Sequence, residues 1–203
     1  MEKATMIRRW SILAAFAVLG GLSVYFGLQG KFSFDFEQFF PDGDEDLAFF
    51  REFVQEFETD DNFMLIAIQR DEGVFDRKFM EQFHDFTLKT RGLPYVTESQ
   101  SLTKVGYPLK SPFGVTSIPA IHIGEPERYE EDKARILADE RFVYNIITPD
   151  ARTLTVFIKM VNSIPLEQSR EFMRELDQLI AQYDFEAYHY LGRPYFQREL
   201  VAM

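Results

Sequence analysis

Asn62-Phe63-Met64-Leu65-Ile66-Ala67-Ile68-Gln69 is an apolar run of strand length, closed by the turn signal Asp71-Glu72-Gly73. The period then changes. Phe75, Phe79, Phe83 and Phe86 recur at steps of four, four and three, which gathers them on one face of a helix until Gly92 and Pro94 stop it. Residues 95–105 read as a second strand, so the stretch is a strand–helix–strand unit. A second unit lies near the end of the chain. Residues 143–147 and 152–161 form a hairpin around Pro149-Asp150. Pro165 then opens a helix with the apolar face Leu166, Phe172, Met173, Leu176, Leu179, Ile180 and Tyr183, and residues 186–191 supply the last strand. Two such units side by side predict an α+β domain over 62–193. It is a four-stranded sheet with both long helices on one face, the ferredoxin-like (βαβ-βαβ) arrangement. The stripe of Phe75, Phe79 and Phe83 is then core, because aromatics at helical spacing fill the layer between helix and sheet.

Between the units lies an insertion, 106–142. Its first part, 106–128, carries Pro108, Pro112, Pro119 and Pro126 with three glycines and no sustained period, which predicts a long irregular loop. Residues 129–142 read as a short charged helix. Glu130, Glu131 and Asp132 stand beside Lys133 and Arg135, as expected of a solvated face.

Towards the N-terminus, 32–61 is a phenylalanine-rich connector. Phe32, Phe34 and Phe36 alternate with Ser33 and Asp35 as a short strand would, and Phe39-Phe40 run into Pro41. Asp42-Gly43-Asp44-Glu45-Asp46 begins like a calcium-binding EF-hand loop. However, Leu47 stands where the turn glycine belongs and Phe53 where the bidentate glutamate belongs. The cluster instead caps a helix with Leu47, Phe50, Phe53, Val54 and Phe57 on one face, its carboxylates at the positive end of the dipole.

Segment 1–31 is different in kind. Trp10 to Leu28 is 19 residues without a charge, about 28 Å of helix, which matches the hydrocarbon thickness of a bilayer. A transmembrane helix over 10–28 is expected. The apolar run is too long for a cleaved secretory signal and no A-x-A site follows it. Lys3, Arg8 and Arg9 precede the run and acids follow it, which places the N-terminus in the cytoplasm and the main domain outside. Within the span, Ala17-x-x-x-Gly21 and Ser23-x-x-x-Gly27 have the spacing that lets another helix approach closely in lipid, as in a homo-oligomer. Small residues are also frequent in spans that pack against nothing.

The chain has 203 residues and a net charge of −11. Removing Glu2, Lys3, Arg8, Arg9 and Lys31 from its 22 basic and 33 acidic residues leaves 18 and 32, a charge of −14 beyond the span. A phosphate backbone needs a basic face, so no nucleic-acid partner is expected. With no cysteine there is neither a disulfide nor a thiolate site. No phosphate-cradling glycine motif and no G-x-S-x-G elbow occurs, and His84, His122 and His189 lie apart from one another. No catalytic, metal or cofactor residue is assigned. An enzyme tethered outside the membrane would need a pocket gathering Glu130, Asp132 and His122.

One uncharged span, then Asp35-Phe36-Glu37-Gln38-Phe39-Phe40-Pro41-Asp42, then Asp60-Asp61-Asn62 opening an apolar strand, then Ser101-Leu102-Thr103, with Arg152-Thr153 and Gly192-Arg193-Pro194 further on, resembles the start of resistance-nodulation-division (RND) transporters. The similarity is strongest to the MMPL-type and hydrophobe-exporter branch and covers nearly the whole chain. It implies a first span followed by an extracytoplasmic, porter-type ferredoxin-like domain, in a cell-membrane transporter driven by protons. The remaining spans and porter domains would be its partners, and a lipid or other hydrophobic molecule its cargo. In that setting Phe39 and Phe40 would either contact apolar cargo just above the bilayer or pack the domain against its own spans. Coupling to protons needs an intramembrane carboxylate, and 10–28 contains none. The chain alone is therefore not expected to pump, and 194–203 leads towards a second span. The competing reading is a self-sufficient, single-span anchored domain that binds a partner outside the membrane.

Overall fold

The computed structural model describes residues 2–29, 46, 49, 52, 53, 62–112, 114–162 and 164–202. The chain divides into two compact units, Met1–Asp35 and Phe36–Met203. The first is a single helix, α1 (Glu2–Gln29). In the connector, Asp46, Phe49, Glu52 and Phe53 are helical, while the strand expected at Phe32–Phe36 and the pair Phe39-Phe40 lie outside the described residues.

The second unit runs β1 (Phe63–Gln69), α2 (Arg77–Thr90), β2 (Val96–Gln100), β3 (Gly106–Ser111), β4 (Gly114–Pro119), α3 (Tyr129–Leu137), β5 (Thr153–Met160), α4 (Leu166–Ile180), β6 (Ala187–Gly192) and α5 (Arg193–Ala202). Among the described residues the fold is thus mixed α+β, with five α-helices and two antiparallel sheets. The larger sheet has the strand order β2-β5-β1-β6. Each strand–helix–strand unit leaves a gap that one strand of the other fills.

The apolar period of β1 explains its central place. Met64, Ile66 and Ile68 are fully buried and pair across to Ile158, Val156 and Leu154, buried in their turn. Above them lie Phe79, Met80, Phe83 and Phe86 of α2 and Phe172, Met173, Leu176 and Ile180 of α4, all buried, so the phenylalanine stripe is core. Helix α2 starts where Asp76 accepts the Phe79 amide at 3.0 Å, a cap worth about 1 kcal/mol. On the opposite sheet face Phe63 stacks on Phe157 at 5.7 Å, and Phe157 and Leu191 are exposed. Helix α5 is pinned to α4 by the buried Ser169–Gln197 hydrogen bond and by Arg198, which donates to Asp177 at 2.7 Å.

Several elements differ from the sequence reading. The second strand stops at Gln100 rather than 105. The stretch read as irregular holds the hairpin β3–β4, with Tyr107 opposite Ile118 and Leu109 opposite Thr116. Of the described ribbon side chains Tyr107 packs on the core while most others are exposed, so the ribbon is wet on both faces and carries no burial period. A two-stranded ribbon is all edge, which also tolerates Pro108 and Pro119. The α3 helix ends at Leu137 rather than 142. The turn at Pro149-Asp150 forms, but residues 143–147 contribute isolated bridges, Ile147 to Leu154 among them, instead of a strand.

Gly192 closes the last strand at φ +148, where a Cβ would collide with the Phe63 carbonyl oxygen and come within 3.0 Å of Met64 Cα. Both obstacles are backbone of the central strand. Gly192→Ala is expected to cost about 2 kcal/mol or more, read as a lower urea midpoint with unchanged slope.

Candidate functional site

Helix α1 is continuous over 28 residues. Its side chains are described at 9, 10 and 12–27, and every one is exposed. At 100° per residue, Ile12, Leu13, Phe16, Val18, Leu19, Leu22, Val24 and Phe26 cover about two thirds of the circumference, and Trp10, Ala14, Ala17, Gly21 and Tyr25 occupy the remainder, so no polar stripe forms. Among the described residues no helix is long and apolar enough to cross a membrane. Ala17 and Gly21 are exposed, and a Cβ built on Gly20, Gly21 or Gly27 meets nothing within 4 Å. The small-residue face is open. Phe39 and Phe40, the pair considered for cargo contact, lie outside the described residues.

In the second unit the structure brings together residues that the sequence reading kept apart. Asp132 was expected on a solvated face, yet its side chain is fully buried while Glu130 and Glu131 are exposed. Tyr129, Asp132 and Ile136 are the buried positions of α3, at steps of three and four. That phase was present in the sequence, and it places Asp132 inward. The carboxylate Oδ2 accepts the His122 backbone N–H at 2.8 Å and lies 2.9 Å from His122 Nδ1. Its Oδ1 accepts from the Arg135 guanidinium at 2.6 Å. Arg135 donates also to the Ala120 carbonyl at 3.2 Å and lies over the Tyr107 ring at 4.9 Å. Tyr107 meets Phe142 edge-on at 5.5 Å, and burial pushes its hydroxyl pKa up.

His122 is therefore not isolated, because its ring faces a carboxylate. The chemistry this allows is limited. A histidine–aspartate pair activates a nucleophile when a hydroxyl or thiol lies within reach of the other ring nitrogen. No described hydrogen bond joins His122 to a hydroxyl, and Glu130 points away from the cluster into solvent. Among the described residues no group of three or more histidine or acidic side chains is placed to hold a metal ion. The cluster ties the exit of β4 to the first turns of α3. Its carboxylate is satisfied on both oxygens, as a buried charge must be.

His84 is the other buried histidine feature, its Nδ1 lacking a partner among the described residues. Burial holds its pKa below the ordinary 6.5, with Lys104 adding to the effect and Asp85 opposing it. The folded state thus prefers the neutral ring. The associated stability is complete above pH 6.5 and is lost as pH falls from there through the lowered folded value. His84→Gln is expected to show a smaller drop in melting temperature than the parent chain over that acid range.

No protein-family model matches the chain. No curated protein matches it either.

Proposed function

We propose that the chain is the N-terminal portion of a proton-driven RND-type exporter of lipids or other hydrophobic compounds. In this reading α1 is its first transmembrane helix, with the N-terminus cytoplasmic, and the second unit is a ferredoxin-like porter domain on the far side of the membrane. The observation that carries this reading is an order of elements. A helix whose residues 10–28 carry no charge and no polar stripe precedes two strand–helix–strand units interleaved as β2-β5-β1-β6. That is the arrangement implied by the resemblance in Asp35–Asp42 and Ser101–Thr103. A helix without a polar face gains nothing from lying on a small soluble domain, whereas lipid accepts all its sides. The acidic second unit is repelled by anionic headgroups and stays off the bilayer surface. The lipid bilayer, the later spans and porter domains, and an apolar cargo are the partners this reading calls for.

Two measurements test it. Translating the reading frame beyond Met203 is expected to give further apolar runs of about 20 residues; a frame that closes at once would instead make the chain a single-span anchored binding module. Protease added to intact cells, with the outer membrane permeabilised where there is one, is expected to digest the second unit. A protected second unit would overturn the orientation and with it the exporter reading.

A further inference from the structure

We propose that the groove between α4 and α5 binds a phosphate group, as the free anion or carried by an amphiphile. This stands independently of the transport reading. The groove is open, about 420 Å³, and lined by Arg170, Arg174, Asp177, Gln178, Ala181 and Arg198. Positions 170, 174, 177, 178 and 181 form one stripe of α4, the outward side of a helix whose other side is core. Arg198 faces that stripe from α5. Three arginines thus line one groove in a chain whose net charge is −11.

The single acid in the groove is already engaged. Asp177 Oδ1 accepts from the Tyr190 hydroxyl at 3.0 Å and Oδ2 from Arg198 at 2.7 Å. Arg198 also reaches Glu199 through Nε at 3.3 Å, and Arg170 has only the exposed Glu167 at 3.4 Å. Arg174 has no partner among the described residues. Like charges at i and i+4, such as Arg170 and Arg174, repel each other, so an anion between them removes a cost as well as gaining hydrogen bonds. The planar fork of donors suits a tetrahedral phosphate better than a halide. The wall of the groove is mostly apolar and would suit the organic part of a phosphate ester.

The test uses the full chain in dodecyl maltoside micelles at low ionic strength, following the Arg side-chain Nε–Hε resonances by NMR. It is titrated with inorganic phosphate and, separately, with short-chain dihexanoyl phosphatidic acid. Saturable shifts confined to Arg170, Arg174 and Arg198 are expected, with binding about tenfold weaker in Arg174→Gln and largely retained in Arg174→Lys. Equal affinity for the two probes assigns the groove to the phosphate group alone, and tighter binding of the lipid assigns it to an anionic amphiphile. Absence of saturable shifts with both probes, or unchanged affinity in Arg174→Gln, would overturn the proposal. Arg174 is exposed and outside the core, so the variants are expected to fold.

Discussion

Leu19→Arg is expected to move the full-length product from the membrane pellet to the soluble or aggregated fraction. Leu19 is the midpoint of the uncharged run Trp10 to Leu28. Nine residues of that run are Ile, Leu, Val or Phe, each contributing about −0.3 to −0.6 kcal/mol to insertion, so together about −3 to −5 kcal/mol. One arginine at the centre costs about 2.5–3.5 kcal/mol and forfeits the leucine as well, which brings the total near zero. Leu19 is 61% exposed, so it is no part of the core of the second unit. Leu19→Ala serves as the control and should stay in the pellet. Recovery of Leu19→Arg in washed membranes would count against a spanning α1, as would mature material whose N-terminus lies near Lys31.

The second large effect belongs to the buried cluster of the insertion. Asp132→Ala leaves the Arg135 guanidinium and the His122 backbone N–H without their acceptor in a site where Asp132 itself is wholly shielded from water. Arg135 is one-third exposed and keeps the Ala120 carbonyl, so the loss comes mainly from the unpaired His122 N–H and is about 2–3 kcal/mol, against a total stability of about 5–15 kcal/mol for a domain. Urea unfolding followed by far-ultraviolet circular dichroism should show a midpoint shift of that size. The neighbouring Glu130→Ala and Glu131→Ala, both exposed, should stay within about 0.5 kcal/mol of the parent. A loss below about 1 kcal/mol in Asp132→Ala would show that the carboxylate is not what holds β4 to α3.

Legibility in the sequence followed burial. Where one side of an element is wet and the other dry, its period shows: β1, α2 and β5 lie within a residue or two of where their patterns place them, while α4 starts as its pattern predicts and ends three residues before Tyr183. The hairpin β3–β4 escaped because both of its faces meet solvent, and its prolines and glycines mimic a loop. The 143–147 segment has strand composition, but Tyr144 sits at φ +68, which breaks an extended run. At Asp132 helical phase overrides charge. An aspartate flanked by two exposed glutamates looks solvated, whereas its spacing from Tyr129 and Ile136 turns it inward. Of the residues singled out in advance, Ala17 and Gly21 have open surroundings and Phe39 and Phe40 lie outside the described residues. The arginine groove was not foreseen, because Arg198 meets Arg170 and Arg174 only once α5 folds back on α4.

The interleaved strand order has a consequence for biosynthesis. Among the described residues the central strand β1 pairs with β5 and β6, and β2 pairs with β5 alone. During translation the strand–helix–strand stretch β1-α2-β2 therefore emerges with neither of its strands able to pair. It waits for Met160, some 60 residues after Gln100, which at about 5–20 residues per second is several seconds. Throughout that interval Phe79, Phe83 and Phe86 have no complete sheet to cover them, so the unfinished domain exposes its aromatic core face until β5 arrives.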